Sequence, residues 1–408
     1  MNDYARVIIG GGYGGQMAAR ELARAGLGPG TLLIDLRPRA GHPHQSTSGF
    51  ADVWVKKYDL PISADAVAAP IRTMRLYGPS GKSRTVSPPG DVGGAAMGMV
   101  LQEDNILANM ESESTRHGVT VWHSTMATHV ARETDGFRVT VQGESGRRTV
   151  TGHRLLLFEG YHAHLAKQLG MVTPLRDDQF YRGYEITVPQ RNQPPGEVRM
   201  WLPDREETVP RASYHWDFPA SSNGTATRRV GNASAKSDPH TAIWYFRRWW
   251  DAHRSEYDGP TLSRCGGIIP TAPPARTVHD RGAFIGGDTA TTCCSVTGGG
   301  ILGALESGYQ CAHAIIDGRP NSYDKRLDWI RRELRVRYAL KMLVVRLTYD
   351  EMDRLVELLG TYPLPEVPQL NPLKQRRAFT RWALGADPML FATILTRGRF
   401  WQAVSPFL

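Results

Sequence analysis

The chain has 408 residues, of which 41% are hydrophobic and 22% charged, and it carries a net charge of +9. That length allows two or three domains around a substantial core, and the composition excludes a disordered or fibrous chain. No apolar run approaches the roughly 18 residues of a membrane span. The four cysteines, Cys265, Cys293, Cys294 and Cys311, form no C-x-x-C and no Cys/His ligand spacing, so no metal site is expected.

Taken in order, residues 6–9 (Arg-Val-Ile-Ile) read as a buried parallel strand. The strand begins within a few residues of Met1, leaving no room for a signal peptide, so a cytoplasmic protein with reduced thiols is expected. Gly10, Gly12 and Gly15 then fit G-x-G-x-x-G, the spacing predicts a helix over 16–25, and 32–35 (Leu-Leu-Ile-Asp) reads as a second strand ending in an acid. Asp35 lies 20 positions after Gly15, where a carboxylate can accept from a ribose hydroxyl. Strand, glycines, helix, strand and acid in this order predict a dinucleotide site, with a pyrophosphate held at the helix N-terminus.

A loop rich in His, Ser and Gly covers 38–49, a helix is expected over 103–117 and a strand over 119–122. Segments 127–132, 137–142 and 147–150 form a meander broken at Asp135-Gly136 and Ser145-Gly146, two hairpin signals. A buried strand, 155–158, follows it. Residues 175–229, dense in aromatics and prolines, predict an antiparallel sheet, and 241–253 a helix. Residues 283–285 read as one more buried strand, after which a second glycine cluster appears: Gly287 and Asp288, then Gly298, Gly299, Gly300 and Ile301, opening a helix to 316. Two such turns, almost three hundred residues apart, point to one long anionic cofactor gripped twice, as in a flavoprotein that binds FAD. The expected fold is therefore α/β, with a Rossmann-like FAD-binding domain of the glutathione-reductase or hydroxylase type. That domain is expected to be discontinuous (1–65, 96–170 and 264–320), with an antiparallel-sheet substrate domain (66–95 and 171–263) and a C-terminal helical region (321–408). From Arg319 onward there are 16 Lys/Arg against 9 Asp/Glu, so most of the net charge sits in that last region.

These motifs resemble the geranylgeranyl reductase family of FAD-dependent enzymes, which shares its fold with aromatic hydroxylases and flavin halogenases. The family's G-D-A-A-G-x-x-x-P-x-x-G-x-G-I is matched by Gly287-Asp288-Thr289-Ala290-Thr291, Ser295 and Gly298-Gly299-Gly300-Ile301 at the same spacing. Its Y-x-W-x-F-P is reproduced by Tyr214-His215-Trp216-Asp217-Phe218-Pro219. Gly267-Ile268-Ile269-Pro270 and the stretch Thr348 to Asp353 also look like family segments. The resemblance spans about residues 5 to 360. Four departures stand out: Ser46 where the family often has a cysteine, Thr291 and Ser295 in the flavin loop, Gly231-Asn232-Ala233 in place of the family's later G-x-G, and Glu159-Gly160 where relatives carry D-G.

The resemblance implies reduction of C=C bonds in an isoprenoid, geranylgeranyl-like or other hydrophobic polyene substrate. FAD would be held by Gly10, Gly12, Gly15, Asp35, Gly287, Asp288, Gly298, Gly299, Gly300 and Ile301. Tyr214, Trp216, Phe218 and Pro219 would line the prenyl pocket, and Ser46, Tyr214 and Trp216 are the candidate catalytic residues. The proton source stays open among His42, His44, Ser46, Tyr214, His215 and water. Electrons would come from NAD(P)H or a reduced ferredoxin. The basic, aromatic C-terminal region would meet either an acidic electron carrier or a membrane surface. No nucleic-acid recognition motif is present. The alternative activity is that of a flavin-dependent monooxygenase, epoxidase or halogenase, and a third reading is a flavin-binding lipid carrier without chemistry.

Overall fold

The structure, a computed structural model, describes residues 2–86, 96–203 and 213–361, together with Asp387. Apolar runs with no polar alternation become the central strands of one mixed eight-stranded sheet. Its parallel core runs in the order Ala283–Ile285, Gly146–Leu157, Asn2–Ile9, Thr31–Ile34, Thr120–Trp122. Val7, Ile8, Leu32, Leu33, Leu155, Leu156, Leu157, Phe284 and Ile285 are fully or almost fully buried there. The helix Tyr13–Leu22 follows the first glycine turn and the helix Ile301–Ile316 follows the second. The two helices pack together, with Gly14 fitted beneath the carbonyl of Ala304.

One expected pair of strands is a single element. The third arm of the meander and the buried strand at 155–158 form the continuous 12-residue strand Gly146–Leu157. Its first half pairs antiparallel with Gly136–Gly143, and its second half lies parallel between Asn2–Ile9 and Ala283–Ile285. Thr151-Gly152-His153-Arg154 reads as polar because it crosses from the exposed ribbon into the core.

A seven-stranded sheet stands over the carboxyl ends of those parallel strands. Its order is Ser263–Pro270, Phe180–Pro189, Thr225–Ala235, Tyr214–Ser222, Glu197–Trp201, Thr73–Tyr77, Ser83–Val86. Pairing is antiparallel except between Glu197–Trp201 and Thr73–Tyr77. Two expected boundaries shift. Residues 263–270 belong to this sheet rather than to the cofactor domain, because they pair along Phe180–Pro189. Val67–Ile71 instead pairs with Gly98–Leu101 in a separate three-stranded sheet that also takes in Gly49–Ala51.

The back of the seven-stranded sheet is covered by the helix Ala242–His253, whose N-cap Thr241 accepts from the Trp244 amide at 3.3 Å. Phe246, Trp249 and Tyr257 pack there on Ile186, Val188, Trp201 and Val230. The helical C-terminal expectation holds for Tyr323–Arg326, Asp328–Val344 and Tyr349–Gly360. The aromatic and arginine-rich stretch expected to meet a membrane, from Arg376 to Trp401, lies outside the described residues apart from Asp387. Among the described residues no helix is long and apolar enough to cross a membrane.

Candidate active site

The two glycine turns lie at the carboxyl ends of Asn2–Ile9 and Ala283–Ile285, with only the strand Gly146–Leu157 between them. Phe158, just past that strand, touches both: a Cβ on Gly14 would come within 2.5 Å of its ring, and one on Gly286 would also strike it. The turns therefore converge in space. In the first, Gly15 packs against the carbonyl of Gly10, leaving no room for a side chain, whereas a Cβ on Gly12 would meet nothing within 4 Å. A phosphate group fits that open space, facing the N-terminus of Tyr13–Leu22. Asp35, 6% exposed, lies against the same turn, since a Cβ on Gly11 would sit 2.5 Å from its Oδ2. Arg37 holds the carboxylate in place, donating from Nε and Nη2 at 3.0 Å each.

In the second turn, the amide of Gly287 donates to Ser307 Oγ at 2.8 Å. Asp288 Oδ1 lies 3.1 Å from where a Cβ on Gly300 would stand, so the two halves of the motif meet. Among the described residues the Asp288 side chain accepts no hydrogen bond, and burial alone lifts its carboxyl to about 6. A carboxyl lacking protein donors suits the hydroxyls of a ribityl chain. Gly298 to Gly300 lead into Ile301–Ile316, and a Cβ on Gly298 would lie 3.4 Å from Ile269 and 3.6 Å from the Tyr214 hydroxyl, so this turn abuts the seven-stranded sheet. These features fit FAD. When bound, FAD supplies two-electron redox chemistry.

The front face of the seven-stranded sheet carries the aromatic motif. Tyr214, Trp216 and Phe218 alternate on it, and the Tyr214 hydroxyl donates to the Thr297 carbonyl of the second turn. Burial raises the Tyr214 phenol well above its ordinary range, so it stays protonated. Pro219 does not join this face: strand alternation puts it on the back with His215 and Asp217. The same alternation removes His215 from the candidate proton donors, because its ring stacks on Trp249 with centroids 5.0 Å apart. Asp217, wholly buried, accepts from Arg199 at 2.8 Å, Arg228 at 2.5 Å and Tyr257 at 2.9 Å, fixing the strand from behind.

Strand register sets two rows across the front face. One row is Trp216, Gly231, Glu185, Cys265; the next is Tyr214, Ala233, Gly183, Gly267. The second row leaves a trough of small residues beside Tyr214. In the first, a Cβ on Gly231 would fall inside the Trp216 ring, so only glycine lets the indole lie flat. The indole reaches across it and donates to Glu185 Oε2 at 2.8 Å. Glu185 is 3% exposed and also accepts from the Thr47 hydroxyl, while Cys265 Sγ lies 3.6 Å from its Oε1. Burial, then the neighbouring carboxylate, pushes the Cys265 thiol up. Arg229 steadies the adjoining loop by donating to the Thr47 carbonyl at 2.9 Å and to Gln102 Oε1 at 2.7 Å.

Ser46 lies in that loop, where its Oγ accepts from the Ser48 amide at 3.0 Å and its own amide donates to Glu103 at 3.1 Å. His44 is half-buried nearby, and burial and Arg229 lower its pKa. His42 is exposed. Glu159, the departure from D-G, caps the short helix His164–Gln168, accepting from Leu165 N at 2.7 Å and Ala166 N at 3.0 Å. Cys293 and Cys294 are buried in the second turn; burial opposes ionisation of Cys294, but Arg337 at 3.5 Å outweighs it and lowers the thiol. Sequence reading missed Glu185 and Thr47, gave Cys265 no role, and noted Gly231 only as part of a broken G-x-G. A lone acid inside the apolar strand Tyr184-Glu185-Ile186-Thr187-Val188 was the available signal.

A parallel sheet with two glycine turns at its carboxyl edge, roofed by an antiparallel sheet, defines the architecture of FAD-dependent hydroxylases and halogenases. Comparison with known proteins narrows this. The chain is 24% identical over 388 residues to digeranylgeranylglycerophospholipid reductase of Thermoplasma volcanium, covering 90% of this chain and 94% of that protein. It is 27% identical over 390 residues to the protein of that name in Methanoculleus marisnigri, covering 92% and 94%. A geranylgeranyl bacteriochlorophyll reductase-like protein of Thermoplasma acidophilum superposes with a TM-score of 0.84, at 21% identity and over 100% of both chains. A flavin-dependent brominase superposes at 0.65, with 16% identity, over 94% of this chain and 100% of its own. No protein-family model matches the chain. The resemblance to geranylgeranyl reductases read from the sequence is borne out by these relatives, and the fold is that of the flavin hydroxylases and halogenases.

Proposed function

We propose that the chain is an FAD-dependent oxidoreductase that reduces C=C bonds in a prenyl chain, as the names of its relatives suggest. The observation that carries this reading is the sheet face itself. Tyr214, Trp216 and Phe218 line it beside the second glycine turn, and strand register continues it into the partly buried Met200 and Met74. Such a face offers apolar, adaptable surface to an extended hydrocarbon. Gly10, Gly12, Gly15, Asp35, Gly287, Asp288, Gly298, Gly299, Gly300 and Ile301 hold the cofactor in this proposal. Tyr214 joins the two domains through Thr297, while Trp216 and Phe218 align the olefin and exclude water. A proton for the carbon that receives no hydride comes from Ser46, His44, Tyr214 or water. The electron donor is NAD(P)H or an acidic carrier such as a ferredoxin, meeting the basic C-terminal region, which is also the surface for peripheral membrane contact.

The test is to purify the protein with FAD, reduce it with dithionite without air, and add geranylgeranyl compounds. Mass gains in pairs of hydrogens support reduction. Gain of an oxygen or a halogen under air, coupled to NAD(P)H consumption, would replace it with the monooxygenase or halogenase reading that the structural neighbours keep open. Trp216→Ala should lower prenyl turnover at least tenfold, about 1.4 kcal/mol of transition-state stabilisation, with flavin still bound. Loss of flavin instead would misplace the motif.

A further inference from the structure

His44, Glu185 and Cys265 belong to three separate segments: the loop at 38–49, the strand Phe180–Pro189 and the strand Ser263–Pro270. Yet an imidazole nitrogen, a carboxylate oxygen and the thiol sulfur, one from each, all lie within 4.8 Å of one another. The Cys265 Sγ to Glu185 Oε1 distance is 3.6 Å. In a tetrahedral zinc site with bonds of about 2.3 Å to sulfur and about 2.0 Å to oxygen, those two ligand atoms stand about 3.5 Å apart.

The hydrogen bonding fits as well. Glu185 commits Oε2 to the Trp216 indole and the Thr47 hydroxyl, which fixes the carboxylate and leaves Oε1 turned to the thiol. Carboxylates that bind metals are oriented in this way by outer donors. Among the described residues the His44 imidazole has no hydrogen-bond partner, so a ring nitrogen is available. Arg229, the nearby cation, directs its guanidinium to the carbonyls of Thr47 and Leu101 and to Gln102. One thiolate and one carboxylate would neutralise a divalent ion, and a sulfur, nitrogen and oxygen donor set selects zinc over magnesium or calcium.

We propose that His44, Glu185 and Cys265 form a three-ligand site for one zinc ion, pinning the loop at 38–49 to the front of the substrate sheet. Binding forms a metal–sulfur bond and releases the thiol proton to solvent, with no change of oxidation state. Three protein ligands leave the fourth tetrahedral position to water. With zinc bound, His44 is no longer a proton source and that role falls to Ser46, Tyr214 or water; the site does not depend on which olefin, if any, the protein reduces.

The FAD-loaded full chain is dialysed against buffered zinc chloride, then against zinc-free buffer, and bound metal is measured by mass spectrometry. About one zinc per chain is expected, falling at least tenfold in Cys265→Ala and His44→Ala but not in His117→Ala, an exposed histidine elsewhere. Cobalt chloride in place of zinc should give the visible bands of a tetrahedral ion beyond the absorption of the flavin, lost in the same two variants. Retention of flavin shows that the variants fold. Wild-type protein that keeps no zinc overturns the proposal, as does zinc that persists in both ligand variants.

Discussion

Trp216 donates its indole N–H to the Glu185 carboxylate at 2.8 Å, spanning an intervening strand at the one point where that strand has no side chain, Gly231. The aromatic face and the buried acid are thus a single unit. Gly231→Ala should break it, because the new Cβ would enter the Trp216 ring and also approach the Tyr184 carbonyl at 2.6 Å. Overpacking of this kind costs about 1–3 kcal/mol. Denaturant unfolding should show that loss, and prenyl turnover should fall while the flavin spectrum is kept. An unchanged stability would mean that the indole does not lie over the glycine.

The cofactor half of this site was legible in the sequence because its chemistry is local. Gly10, Gly12 and Gly15 lie within six residues, and Gly298 to Gly300 are consecutive, so spacing alone reports the turn. The substrate half was legible only in part. Period-two alternation would have placed Pro219 and His215 behind the sheet, and reading the motif as a block concealed it. Glu185 and Cys265 meet Trp216 only through strand register across some 80 residues of chain, which no spacing within one segment encodes.

Two glycines of the first turn should respond differently to alanine. Gly15→Ala drives a Cβ into the Gly10 carbonyl, so turn and helix separate and the apoprotein itself is destabilised. A Cβ on Gly12 meets nothing within 4 Å, so Gly12→Ala should leave the apoprotein's melting temperature unchanged. It fills the phosphate space, however, and FAD affinity should drop tenfold or more, about 1.4 kcal/mol. Calorimetry of both apoproteins, followed by FAD titration, separates the two effects.

Asp288 gives the site a pH dependence of defined sign. Burial holds its carboxyl at about 6, above the ordinary 3.8, so the folded apoprotein keeps a proton that the unfolded chain gives up. Stability from this group is therefore full below pH 3.8 and is lost as pH rises through 6. Hydroxyl donors of bound FAD favour the charged form, so binding releases the proton and affinity tightens as pH rises toward 6. FAD titrations at low and neutral pH should show this trend in wild type and lose it in Asp288→Asn. A wild-type affinity that is flat across the range would remove Asp288 from the ribityl site.

Tyr214→Phe tests how the domains are joined. The change deletes only the hydroxyl that donates to the Thr297 carbonyl and leaves the ring against Trp216, 5.5 Å away between centroids. A single hydrogen bond contributes about 0.5–1.5 kcal/mol, so global stability should fall by no more than that. The larger effect belongs at the second turn, where the Thr297 carbonyl loses the donor that ties it to the substrate sheet and Gly298 to Gly300 lose their registry with it. Hydrogen exchange at the amides of 297–300 should quicken, and turnover should decline more than FAD affinity does. Slow exchange at those amides together with full turnover would show that the tyrosine ring, and not its hydroxyl, holds the two sheets in place.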